Sequence, residues 1–149
     1  MTSAGVTARH LEAADRAVWD GLWQGYLDFY EVELPPGVSD RTWERLLHPQ
    51  FDMHGLLAHD GEGRAIGLCN YLFHPSTWSL QPYCYLEDLY VAEGARGRGG
   101  GRALIEMVYA AADARGCERV YWVTHDTNTA ARSLYDKVGR LRPFVQYAR

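Results

Sequence analysis

Seven consecutive residues, Arg96-Gly97-Arg98-Gly99-Gly100-Gly101-Arg102, set three guanidinium groups among four glycines. They follow the strand-like run Tyr83–Val91 and lead into an alanine- and leucine-rich stretch. Glycine this dense is unfavourable in a regular element, because it surrenders the most backbone freedom on folding. Its presence indicates that the backbone itself must be approached there. A strand that empties into glycines and then starts a helix is an anion site, since the first helical turn leaves N–H groups unpaired and carries partial positive charge. Side-chain-free residues let a phosphate reach those groups, and Arg96, Arg98 and Arg102 can add charge-assisted hydrogen bonds. Two nucleotide signatures do not fit. GxxxxGK[ST] needs a lysine and a hydroxyl that this stretch lacks, and GxGxxG fails because Arg102 and Leu104 stand where its last glycine would be.

A second feature lies just upstream. Acidic residues are depleted in strand interiors, yet Glu87 and Asp88 sit between Tyr83-Cys84-Tyr85-Leu86 and Leu89-Tyr90-Val91. Strand side chains alternate, so the two carboxylates are expected on opposite faces, one of them toward the interior where burial raises a carboxyl pKa. Cys69, Cys84 and Cys117 are odd in number and lie in apolar contexts, which reads as three buried free thiols. The six histidines lack metal-ligand spacing, so no metal is expected.

The elements that must position these groups follow from periodicity. A short strand is expected over Gly5–Arg9 and a helix over Leu11–Tyr30, where Leu11, Ala14, Val18, Leu22, Tyr26 and Tyr30 recur near helical spacing. "ELPPGVSD" breaks it, and Ser39 can cap a second helix over Asp40–Leu47. Two apolar runs around Asp60-Gly61-Glu62-Gly63 predict a hairpin, with Asp60-Gly61 supplying the positive-φ turn. Strand Tyr83–Val91 comes next. An amphipathic helix over Gly101–Arg115, ended by Gly116, precedes a buried strand in "ERVYWVTH". A helix over Asn128–Val138 and a last strand over Leu141–Tyr147 complete the chain. Strand–helix–strand at residues 83–124 implies a parallel pair with a right-handed crossover, hence an α/β or α+β class with a mixed sheet.

Size and composition bound the rest. The chain of 149 residues fits one domain, residues 1–149, whose 47% hydrophobic content suffices for a core without disulfides or metal. No run approaches the roughly 18 apolar residues that a bilayer span needs, and the N-terminus has no signal-like apolar core, so a soluble, cytoplasmic protein without a membrane partner is expected. A net charge of −4 argues against nucleic acid as a partner. Residues 1–94 hold 5 basic and 14 acidic side chains, whereas residues 95–149 hold 10 basic and 5 acidic. That split suits an anionic ligand on the C-terminal half and a cationic one on the other.

The spacing R-x-x-G-x-G, carried here by Arg96, Gly99 and Gly101 in "VAEGARGRGGGRALIEMV", closely resembles the acetyl-CoA-binding motif of the GCN5-related N-acetyltransferase (GNAT) superfamily. "THDTNTAARSLYDKVG" resembles that family's next segment, and "YLEDLYV" is similar to the matching strand of its polyamine (spermidine/spermine) and histone/polyamine branch. The likeness covers about residues 83–139. Gly100 departs from the usual Ile or Val and should loosen the loop, and the ten residues after the last helix leave room for one strand where the family places two.

The resemblance implies a mostly antiparallel mixed sheet flanked by helices, with a splayed parallel strand pair binding acetyl-CoA. It implies that Gly97, Arg98, Gly99, Gly100, Gly101 and Arg102, with Arg96, grip the pyrophosphate. The backbone of Leu89, Tyr90 and Val91 would pair with the pantetheine arm, helped by Asn128 and Ala131. Acetyl transfer to a primary amine then needs a base and a proton donor for the departing thiolate. The resemblance assigns these to Glu87 and Tyr135, and leaves Asp88 a structural residue pairing an arginine. The acceptor is expected to be a small cationic amine such as a polyamine or diamine, met by Asp28, Tyr30, Glu31 and Glu87. A protein- or aminoglycoside-type acetyltransferase, a non-catalytic acyl-CoA-binding module and a nucleotide-binding protein are the alternatives. The short tail, with Phe144, Val145 and Tyr147 beside an open sheet edge, points to a homodimer.

Overall fold

The computed structural model describes residues 5–149. Five strands form one sheet in chain order: β1 (Thr7–His10), β2 (Met53–His59), β3 (Ala65–His74), β4 (Tyr83–Val91) and β5 (Val120–Tyr121). The first four are antiparallel neighbours, while β4 and β5 run parallel. Helices α1 (Arg16–Phe29) and α2 (Val38–Leu47) cover one face, and α3 (Gly100–Ala114) and α4 (Thr129–Val138) cover the other. The mixed, mostly antiparallel sheet is the class the sequence implied.

Two apolar layers fix this arrangement. On the α1/α2 face, Trp19, Leu22, Trp23 and Leu27 meet Trp43, Leu46, Leu57 and Leu68. The α1 aromatics repeat at helical spacing, and their rings stack in turn: Trp19 on Trp23 at 5.2 Å, Trp23 on Tyr26 at 5.3 Å, Tyr26 against Tyr30 at 5.0 Å. On the opposite face, Leu104, Ile105, Val108 and Ala112 of α3 pack on Leu56, Cys69, Tyr71, Phe73, Cys84 and Leu86. Cys69 and Cys84 are buried free thiols as expected, whereas Cys117 is half-buried.

Several boundaries differ from the sequence reading for local reasons. The first strand is Thr7–His10, and the predicted Leu11–Tyr30 helix divides into a 3-10 turn, Ala13–Asp15, and α1. Gly37, not Ser39, begins α2; Ser39 lies inside the helix, where its Oγ accepts a 3.0 Å bond from Trp23 Nε1. In the hairpin the left-handed residue is Gly63, while the Asp60 carboxylate accepts from the Glu62 and Arg64 N–H groups. Gly116 takes the left-handed cap of α3 as predicted. The largest difference is at the C-terminal end. The strand expected in "ERVYWVTH" shrinks to Val120–Tyr121, and Leu141–Tyr147 forms no strand. Leu141, Phe144, Val145 and Tyr147 are all exposed there. β5 is the last strand of the sheet, and Pro143 removes a ladder donor from the segment that would have joined it.

Candidate active site

β4 carries the site, and its pairing explains how. Asn70 of β3 pairs with Asp88, but the next residue, Tyr71, pairs with Leu86. Glu87 is therefore the extra residue of a β-bulge. The bulge resets the alternation: Leu86 and Leu89 pack in the α3 layer, while Tyr90 packs with the α1 layer. Asp88, opposite Asn70, lies between them in phase with Tyr90. Glu87 and Asp88 accordingly both line one cavity on the α1/α2 side. The expectation that adjacent acids face opposite ways is corrected here, because a single inserted residue reverses the parity of everything after it.

The two carboxylates have different surroundings. Asp88 accepts a 3.1 Å hydrogen bond from Asn70 Nδ2, with the Tyr26 hydroxyl as a second donor group nearby. It pairs with no arginine among the described residues, against expectation. Burial pushes its pKa up, opposed by those two donors. Glu87 is exposed to the cavity, and its pKa is raised by partial burial and then by the charge on Asp88. The cavity encloses about 800 Å³. Trp23, Tyr26, Leu27 and Tyr30 of α1 wall one side, and Val38, Thr42 and Arg45 of α2 wall another. Val123, Thr124 and His125 close the rim, with His125 lying 5.7 Å from the Tyr30 ring. Tyr30 is thus where the sequence reading put it. Asp28 and Glu31 are not part of this lining: Asp28 accepts a bond from Gln24 at 2.8 Å on the exposed side of α1, and Glu31 is exposed in a left-handed turn.

On its other edge β4 is largely unpaired. β5 meets it only at Cys84–Val120 and Tyr85–Tyr121, so the two strands part before Leu89, Tyr90 and Val91. The glycine loop lies at the end of this gap. Gly97 and Gly99 adopt φ of 80° and 92°, a left-handed region that disfavours other residues. Gly100 and Gly101 serve packing instead. A Cβ on Gly100 would lie 3.4 Å from Ile66, and one on Gly101 would lie 3.0 Å from Leu134. Both glycines are buried in the first turn of α3, so Gly100 draws the helix close to the sheet rather than loosening the loop. The first backbone bond into this turn runs from Ala103 N–H to the Gly99 carbonyl, which leaves the preceding N–H groups for an anion. The arginines divide. Arg96 Nε donates to the Val91 carbonyl at 3.0 Å and its guanidinium lies over the Phe29 ring, so it ties α1 to the end of β4. Arg102 pairs with Glu106 at 3.1 Å. Arg98 is exposed on the loop.

α4 packs beside α3, with Leu134 against Gly101 of its first turn. Tyr135 packs in the α3 layer with its ring edge-on to Trp122 at 5.5 Å, and burial pushes its phenol up to about 12, so it is neutral at pH 7. Asn128 begins α4 and donates to Thr124 Oγ1 at 3.2 Å, with Ala131 half-buried one turn on. The sequence reading missed Asn70, Thr42, Arg45 and His125. The α2 pair had a visible signal, since Val38, Thr42 and Arg45 stand at i, i+4 and i+7. Asn70 had none, because its role depends on the bulge across the ladder.

Residues 19–139 match the family model described as acetyltransferase (GNAT) family. The chain is 40% identical over 150 residues to the D-amino-acid N-acetyltransferase HPA3 of Saccharomyces cerevisiae, covering 100% of this chain and 93% of that protein. It is 36% identical over 86 residues to a thialysine N-epsilon-acetyltransferase of Caenorhabditis elegans, covering 58% of this chain and 52% of that one. In fold it is similar to AAC(6')-Iy, solved in complex with the bisubstrate analog CoA-S-monomethyl-acetylneamine, with a TM-score of 0.83, 19% identity and 98% of each chain covered. A bulged strand, a gap beside it and a glycine-capped helix at its end are thus found in a chain that belongs to the acetyltransferase (GNAT) family.

Proposed function

We propose that the protein transfers the acetyl group of acetyl-CoA directly to the primary amine of a small molecule. The observation that carries this is the placement of Glu87 and Asp88 together on the floor of a cavity beside the gap between β4 and β5. An amine with a pKa near 10.4 is free in only about one molecule in a thousand at pH 7. Glu87, open to the cavity, takes the ammonium proton, and Asp88 holds the bulge through Asn70. The amine nitrogen then forms its bond to the acetyl carbon as the C–S bond breaks; the sulfur takes a proton from the Tyr135 hydroxyl, the new amide nitrogen loses its second proton, and that proton restores the Tyr135 phenol through solvent. The loop Gly97–Gly101 and Arg98 hold the pyrophosphate, and the open edge of Leu89–Val91 with Asn128 and Ala131 holds the pantetheine arm. The relatives named for D-amino acids and thialysine support a small-molecule acceptor rather than a protein. Three free thiols and acetyl-CoA as donor suit the cytoplasm.

The test is a thiol-release assay with acetyl-CoA against diamines, amino acids, aminoglycosides and peptides, with products identified by mass. Amine-dependent release matched by an N-acetylated small molecule is expected. Binding of acetyl-CoA with no amine-dependent release would make the protein an acyl-CoA-binding module instead. Tyr135→Phe should lower kcat about tenfold to a hundredfold with the KM for acetyl-CoA within about twofold, as for a group acting in the transition state. A rise in KM at constant kcat would make Tyr135 a binding residue.

A homodimer completes this reading. The apolar tail residues Phe144, Val145 and Tyr147 are exposed, and β5 leaves one edge of the sheet open. Tails that pair or exchange across a two-fold axis would cover both. Deleting 142–149 should yield monomer or aggregate in sedimentation. An intact protein that sediments as a monomer at all concentrations would contradict the dimer.

A further inference from the structure

The acceptor cavity carries an unmatched cation. Among the described residues that line it, the charged side chains are Glu87, Asp88 and Arg45. Arg45, which is exposed, is on the same stripe of α2 as Val38 and Thr42, and all three line the cavity. Nearby arginines are neutralised: Arg16 by Asp20 and Asp40, Arg41 by Glu44. Arg45 makes no ion pair among the described residues and only rests 5.8 Å from the centre of the Phe51 ring. A planar guanidinium in this state is suited to binding a carboxylate through two parallel hydrogen bonds.

We propose that Arg45, with Thr42 beside it, recognises a carboxylate on the acceptor, so that the preferred substrate is a primary amine that is also a carboxylic acid. This rests on the transferase reading above and names its substrate class. Register fixes the separation. Asp88 pairs with Asn70, Leu72 lies two residues further along β3, and Met53 of β2 pairs with Leu72 on the side that α2 covers. Strand spacing and rise put the α2 end of the cavity about 12 Å from Asp88 between backbones. A separation of this order leaves room for an amino acid with its ammonium toward Glu87 and Asp88 and its carboxylate toward Arg45 and Thr42. A diamine of similar length would set its second ammonium against Arg45, a like-charge contact. The fully cationic acceptor expected from Asp28 and Glu31 loses its support in the same step, since neither lines the cavity.

The experiment compares kcat/KM for an α-amino acid, its carboxamide, ω-amino acids of increasing length and a diamine, using wild type, Arg45→Ala, Arg45→Gln and Arg45→Lys. Wild type should prefer the acid to its amide by at least about tenfold. Arg45→Ala and Arg45→Gln should lower that acid-to-amide ratio by about tenfold to a hundredfold, chiefly through KM, with Arg45→Lys recovering part of it. A ratio unchanged in both neutral variants, or a wild type that prefers the diamine, would overturn the assignment of Arg45 while leaving the transferase reading intact. A wild type that binds acetyl-CoA but acetylates none of these amines would remove the transferase reading itself.

Discussion

Gly99→Asp is expected to weaken acetyl-CoA binding by about a hundredfold or more while the fold persists. Two effects act on the same N–H groups. Gly99 sits at φ 92° at the head of α3, where a side chain costs about 1–2 kcal/mol of backbone strain. Aspartate is also among the better residues for beginning a helix, so its carboxylate would occupy the N–H groups that a pyrophosphate needs and repel the ligand as a like charge. The helix survives the exchange, and the anion site does not. Arg98→Ala should cost only a few-fold, since its exposed charge is screened. Calorimetric titration of CoA alongside circular dichroism separates these outcomes. Normal CoA binding by a folded Gly99→Asp protein would show that the pyrophosphate lies elsewhere.

Glu87→Gln should lower kcat/KM for the amine by about a hundredfold near pH 7, within the range general-base catalysis contributes. The deficit should shrink as pH rises toward the amine pKa and free amine accumulates without help. Stability moves the other way. The Glu87 pKa is raised in the folded protein by partial burial and by Asp88, so any stabilising contribution belongs to its protonated form. That contribution is complete below the unfolded-state pKa and is lost as pH climbs through the raised folded value. At neutral pH the neutral Gln is therefore no worse a neighbour for Asp88 than the carboxylate was, and the variant should melt no lower than wild type. A pH-independent loss of activity, or a lower melting temperature, would make Glu87 a structural residue.

The sequence was most informative where one local signal suffices. The span of β4 was legible to the residue, and α3 to within one, because an apolar strand, a glycine run and Gly116 punctuate them. The glycine loop at the head of α3 was legible for the same reason, though not the division of labour among its glycines. That Gly97 and Gly99 supply left-handed backbone while Gly100 and Gly101 admit Ile66 and Leu134 depends on what β3 and α4 bring against the first turn of α3. The paired carboxylates were visible as an anomaly within a strand, but their common direction was not. It follows from one unpaired position opposite Asn70 and Tyr71, a property of two strands together. Asp28 and Glu31 misled because acidic residues at a helix end are usually solvated, and here they are. The last strand failed although β5 leaves an open edge, because "RPFVQY" has the composition of a strand but Pro143 removes a ladder donor from it.

A crystal structure of the protein with CoA and an amine acceptor tests the account most directly. The pyrophosphate should accept hydrogen bonds from the N–H groups of Gly97–Gly101, with the sulfur in the gap between β4 and β5 facing the Tyr135 hydroxyl. The amine nitrogen should lie about 2.6–3.2 Å from Glu87, directly or through one water. An amine bound against Asp28 and Glu31, or a sulfur remote from both Tyr135 and the bulge, would contradict it.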